Sequence, residues 1–476
     1  MWGIRTRRAL FAAIGALPAL AVQPPALAND NASTPALTTQ EERQIAAGWY
    51  GLGINDGWAS VPTAVLPEGT TGGVHAAQDR WHVVTNRAQL VAALAFPDPT
   101  PKRIYVKGEI NLNVDNDGNP LTCADYARPD PTTGELYSLP AFLAAYDPSG
   151  PWGRVNPSGP QERARVASAA AQAARVRVRV PANTTIFGIG EKPTLKGAWL
   201  DIRPSSTSGN QPMNVIIRNV HFEDSGVDCF PQWSPTDGAQ GNWNAAYDAI
   251  SVRNATHVWI DHNRFEDVAT ADETLPLLFG RLYQVHDGHV DVTNESDYVT
   301  ISWNQFLNHD KTMLIGSSDS ATADRGKLRV TIHNNYFGDA GQRVPRVRFG
   351  QVHVYNNYFK VSADSGYGYS WGAGIESQLY AEQNYLEIAA PYGAADVIDR
   401  FNGTRITDKG NCLNDGAGIC VPTDFVAAWN AAFNPDFTPD AGWTPVLYGK
   451  NGAAYKARDV RDFVSAGAGP SEHRMR

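Results

Sequence analysis

Asp287 and Asp291 stand four residues apart, and positions i and i+4 of a strand face the same way. Carboxylates held on one face repel one another, and a hard cation with oxygen ligands relieves the crowding. With Asp248 as a third acid, Ca2+ is the natural candidate. Three bases follow: Lys311, then Arg343 and Arg348 in the run Arg343-Val-Pro-Arg346-Val-Arg348, which Pro345 stiffens. Arg grips carboxylates with a two-pronged fork, so a basic run beside a cation makes a groove for a polyanion. Without anything to align them, these residues would read as separate solvated charges. A repeat aligns them.

Six segments superpose without gaps: NVIIRNVHF (214–222), HVWIDHNRF (257–265), YVTISWNQF (298–306), RVTIHNNYF (329–337), QVHVYNNYF (351–359) and QLYAEQNYL (378–386). One column reads Val215, Val258, Val299, Val330, Val352, Leu379. Another reads Phe222, Phe265, Phe306, Phe337, Phe359, Leu386. The alternation of apolar residues is that of strands with one buried face. Asn fills the turn after each strand and tolerates the left-handed backbone of a tight bend. Spacings of 43, 41, 31, 22 and 27 residues, with no 3.6 period inside a copy, exclude a helical solenoid and fit a parallel β-helix with variable loops. A sandwich or propeller would need the six matches to be coincidence. Segments 104–110, 176–180 and 185–189 read as earlier rungs. Region 111–160 reads as a loop excursion, 162–174 as a short helix, and 388–476 as an irregular segment along the outside of the coil.

The valine column serves as a ruler. Asp248 lies 10 residues before Val258, Asp287 and Asp291 lie 12 and 8 before Val299, and Arg343 lies 9 before Val352. Lys311 lies 19 before Val330. Its coil exceeds the shortest by nine residues, assigned to the polar stretch 317–327, so its effective position is 10. These acids and bases therefore share one phase of consecutive rungs. Trp259, Asp261 and His262 fall at another phase and read as structural.

The net charge of −9 over 476 residues argues against a nucleic-acid partner. No apolar run outside the N-terminus is long enough for a membrane span. Residues 1–28 read as a secretory signal: a head with Arg5, Arg7 and Arg8, an apolar stretch, and Ala26-Leu27-Ala28 as the cleavage site. General and twin-arginine export both stay open. The expectation is one domain over 29–476, secreted to a periplasm or the exterior, and monomeric. In an exported chain Cys412 and Cys420 close a short loop and read as a disulfide, leaving Cys123 for Cys229; the alternative is free, buried thiols.

Several stretches resemble the pectate lyase family (polysaccharide lyase family 1): VWIDHNRF, DGHVDVTNESDYVTISWNQFLNHDKTMLIGSSDS and RVTIHNNYFGDAGQRVPRVRFGQVHVYNNYF. Weaker similarity runs through TTGG and NTTIFGIG, from about residue 45 to 390. The resemblance implies a right-handed parallel β-helix and calcium-dependent β-elimination on polygalacturonate. It implies that Asp248, Asp287 and Asp291 hold calcium, that Arg343 takes the C5 proton, and that Lys311 and Arg348 hold substrate carboxylates. Many members carry an acid two residues before the first ligand, where this chain has Ala246. An arginine base is awkward because guanidinium is normally protonated; Lys311, Arg348 and the metal are expected to lower its pKa. Two alternatives remain at this point. A pectin lyase working without calcium would not need three acids. A non-catalytic polysaccharide-binding β-helix would need neither acids nor bases in register.

Overall fold

The computed structural model describes residues 36–47, 52–205, 211–414, 416 and 418–470. The expected signal segment lies outside the described residues. The repeats wind into a right-handed parallel β-helix. Val215, Val258, Val299, Val330, Val352 and Leu379 pair in one continuous register, and all six are fully buried. From Phe222 to Phe359 the rings stack 4.8, 4.9, 5.1 and 5.0 Å apart. That is the spacing of neighbouring strands.

The turn asparagines form a second column. Each side-chain amide of Asn263, Asn304, Asn335, Asn357 and Asn384 donates to the Oδ1 of the next, ending on Asn411, at 2.9–3.1 Å. Buried turn polar groups are thereby paired from rung to rung. The left-handed residue of each bend is the one before the ladder: His262, Trp303, Asn334, Asn356 and Gln383, with φ between 52° and 58°. Asn is therefore selected less for its backbone freedom than for an amide that both donates and accepts.

A separate parallel sheet of eight strands carries Asp291. Its strands are Arg177–Val180, Trp199–Ile202, Ile250–Arg253, Val290–Thr293, Leu314–Ile315, Arg346–Val347, Trp371–Gly374 and Ile398–Phe401. Alternation sends Val and Ile inward. Outward, Arg179, Asp201, Ser251 and Asp291 form one row, continued by Leu314, Arg346 and Gly372.

Three boundaries differ from the sequence reading. The helix spans Pro160–Val176, so the rung read from 176 begins at Arg177. The 111–160 excursion contains helices Cys123–Tyr126 and Leu139–Tyr146. These pack Tyr126, Phe142 and Tyr146 into a second core with Phe230, Trp233 and Trp243. The coil also continues beyond 388, through strands Ile406–Lys409 and Cys412–Asn414. Beyond it, helix Phe425–Ala432 buries Phe425 in the core, and helix Ala457–Gly467 covers Tyr358 and Tyr385 from outside. Both disulfides form, Cys123–Cys229 and Cys412–Cys420. Among the described residues no helix is long and apolar enough to cross a membrane.

Candidate active site

Asp291 lies in strand Val290–Thr293, opposite Ser251 on the neighbouring strand. Asp248 enters that neighbouring strand two residues before Ile250. Its Oδ2 accepts from the Ser251 hydroxyl, and its Oδ1 accepts from the Gly288 N–H at 3.1 Å. Asp291 Oδ1 accepts from the Leu314 N–H at 2.9 Å. Gly288 is needed here for space: a Cβ on it would lie 2.3 Å from Asp291 Oδ1 and 3.2 Å from Asp248 Oδ1. Burial, then Asp287, push the Asp291 carboxyl up to about 7. Burial and both neighbouring acids raise Asp248 well above the usual carboxylate range.

Asp287 is more open, 28% exposed at its side chain, and reaches Arg343 Nη1 at 3.9 Å. The three carboxylates converge without their oxygens all closing to within 4.8 Å of one another. The set is all oxygen, largely desolvated and crowded with carboxylates, and Arg343 makes only a long contact with it. Such a donor set fits Ca2+.

Arg343 has a left-handed backbone, φ 58°, in the link between strands Tyr336–Gln342 and Arg346–Val347. Its Nε is buried without a hydrogen-bond partner among the described residues. Burial alone would lower its pKa, but the charges of Asp287 and Asp291 outweigh it and the net shift is upward. That direction belongs to the protein without calcium; the expected lowering by Lys311, Arg348 and the metal requires the metal. Lys311 ends strand Gln305–Lys311 and pairs with Gln342, the residue before Arg343. Lys311 is buried, and its ammonium has no ion pair among the described residues. The stretch 317–327 does loop out between Ile315 and Val330, as the ruler required.

Arg348 lies two residues along the outward face from Arg346. Its Nε bonds Asp319 Oδ1 at 2.7 Å and its Nη1 bonds the Gly316 oxygen at 3.0 Å. The structure thus brings the three acids, Arg343 and Lys311 to one place, with Arg348 beside them already paired. Ala246 is exposed, and its N–H donates to buried Asp228 at 3.1 Å.

The Trp259-Ile-Asp-His segment sits on a different sheet. Asp261 there is saturated by Arg218 at 2.7 Å, His262 at 2.5 Å and Ser302 at 2.7 Å. Sequence reasoning missed Ser251, Gly288, Asp319, Asp267 and His309. The last supports Asp287 through its backbone oxygen at 2.6 Å. Its only signal was its place two residues before Lys311.

A family model described as pectate lyase matches residues 158–435. The pectate lyase of Bacillus subtilis (strain 168) is 44% identical over 427 residues, covering 89% of this chain and 94% of its own. Pectate lyase E of Dickeya dadantii (strain 3937) is 34% identical over 366 residues, 75% of this chain and 76% of its own. A solved pectate lyase bound to a hexasaccharide superposes with a TM-score of 0.79 at 42% identity, covering 89% of this chain and 99% of that one. On this similarity and this fold, the chain belongs to the pectate lyase family of polysaccharide lyases.

Proposed function

We propose that the enzyme acts outside the cytoplasm as a monomer and cleaves polygalacturonate where Asp248, Asp287, Asp291, Lys311, Arg343 and Arg348 meet, at the strands and links beside the eight-stranded sheet. The observation that carries this is the placement of Arg343 Nη1, 3.9 Å from Asp287 and one residue from the rung partner of Lys311. Arg343 takes the C5 proton of a galacturonate unit. The electron pair left behind forms the C4=C5 double bond, the C4–O bond breaks, and the departing oxygen takes a proton from water. Lys311 and Arg348 hold the carboxylates of the substrate, which an acidic chain cannot gather by its overall field. Calcium, when bound by Asp248, Asp287 and Asp291, offsets their charge and stabilises the charge developing on the substrate carboxylate beside C5.

Arg343 must be neutral to accept a proton, whereas a guanidinium is ordinarily charged. Activity should therefore climb into the alkaline range. Export is supported by the signal-like N-terminus and by two disulfides, which persist in oxidising compartments. The direct test is the ultraviolet absorbance of unsaturated product from polygalacturonate, with and without chelator. Absorbance that grows with calcium and stops with chelator is expected; equal rates in both would remove the metal from the scheme.

A further inference from the structure

Behind the aspartates lies a buried histidine cluster with no part in the scheme above. His309 Nδ1 is 2.6 Å from Asp267 Oδ2, and its Nε2 is 2.6 Å from the backbone oxygen of Asp287. Carboxylate and carbonyl oxygens only accept, so both ring nitrogens donate. Asp267 is faced on its other oxygen by His286 at 3.7 Å. His286 is fixed in turn by the backbone oxygens of Ser225 and Thr270, at 3.0 and 3.1 Å. His289 stacks on His309 with centroids 3.8 Å apart and planes 20° apart. Asp267, His286, His289 and His309 are all buried.

Asp267, His289 and His309 bring possible ligand atoms within 4.8 Å of one another. Ring geometry argues against a metal centre. An imidazole binds an ion in its own plane, and two nearly parallel stacked rings cannot both aim at one ion. Both His309 nitrogens are also already engaged.

The group that this cluster holds is the Asp287–Gly288 peptide. Its carbonyl oxygen is bound by His309, and its N–H is bound by Asp248 Oδ1 at 3.1 Å. Asp291 Oδ1 lies against the same glycine, where a Cβ would be 2.3 Å away. One peptide plane therefore fixes how Asp248, Asp287 and Asp291 stand relative to one another. We propose that His309, braced by Asp267, is a positioning residue for the calcium site: it clamps this peptide so that the three carboxylates converge. The inference rests on the calcium reading above.

The test is calorimetric titration of Ca2+ into full-length, calcium-stripped enzyme. The proteins are wild type, His309→Asn, His309→Gln and Asp291→Asn. A Gln amide nitrogen reaches the place of Nε2 and an Asn amide that of Nδ1. His309→Asn should weaken calcium binding by roughly ten- to hundredfold, the usual effect of losing an outer-shell partner. His309→Gln should recover most of that loss. Unchanged affinity in His309→Asn, with affinity lost in Asp291→Asn, overturns the clamp. Equal losses in the Asn and Gln variants also overturn it, because they would report packing damage alone. Unchanged affinity in Asp291→Asn overturns the calcium reading itself. Where His309→Asn fails to fold, Asp267→Asn keeps the shape and removes the brace; it should weaken calcium binding too, and no change overturns the clamp. Stoichiometric Zn2+ binding that His289→Gln abolishes would make the cluster a metal centre and overturn it as well.

Discussion

The interior columns and the outward row of the site sheet are built on the same coil but follow opposite rules. Inside, most rungs repeat their neighbour, Val on Val, Phe on Phe, Asn on Asn, until Leu379 and Leu386 replace Val and Phe. Outside, the row reads Arg179, Asp201, Ser251, Asp291, Leu314, Arg346, Gly372, and no two neighbours match. Identity suits a core because like side chains fill like spaces at a fixed rise. Difference lets the row place one calcium-site acid, Asp291, among unlike neighbours, while Lys311 and Arg343 come in from segments outside it. The coil supplies registration for both.

The largest effect that separates the two should come from Arg343. Arg343→Lys keeps a cation but loses the fork and moves the proton-accepting atom. We expect kcat to fall by about a thousandfold or more, roughly 4 kcal/mol of barrier, while polygalacturonate still binds and the melting temperature holds. Full turnover in this variant would pass the base role to another group. The core should respond the other way. Phe306→Ala empties a stacked column and should lower stability by about 3–5 kcal/mol, leaving kcat near wild type below the melting transition. Denaturant unfolding with parallel kinetics checks both halves.

This contrast also explains what was legible beforehand. Val299 and Phe306 could be placed because each has a twin one rung away, and the same ruler carried Asp248, Asp291 and Arg343 to one face. Lys311 needed a further step, the removal of 317–327, and its pairing with Gln342 agrees with that step. Asp267 and His309 had no column to belong to. They act through one backbone oxygen, and no residue pattern records which carbonyl a side chain will find. The 111–160 helices were hidden for a related reason: they bury aromatics against Trp233 and Trp243, far along the chain, rather than against repeats of themselves.

The pH dependence of stability sharpens the comparison, because core columns do not titrate. Asp291 is held up to about 7 by burial and by Asp287, so the folded protein binds that proton more tightly than the unfolded chain does. The stability this gives is complete below about pH 4, is lost as pH rises toward about 7, and is absent above it. In chelator, Asp291→Asn should therefore gain on wild type in melting temperature across that window and hold a constant margin beyond it. A margin independent of pH would mean that Asp291 is not the group held up.

The smallest expected effect is in the ladder. Asn335→Ala removes the oxygen that accepts from the Asn304 amide and backbone N–H, and one of the two donors to Asn357 Oδ1; the Asn335 backbone N–H stays. It should lower stability by about 1–3 kcal/mol with kcat unchanged. A loss of activity at full stability would tie the ladder to the site face.

Catalysis as proposed depends on Asp291 joining Asp248 and Asp287 in one calcium site. The measurement that addresses this most directly is initial velocity on polygalacturonate against free calcium, for wild type and Asp291→Asn side by side. Asp291→Asn removes one charge at nearly constant shape, so the half-saturating calcium concentration should rise well over tenfold, more than about 1.4 kcal/mol. Curves that coincide would contradict the assignment.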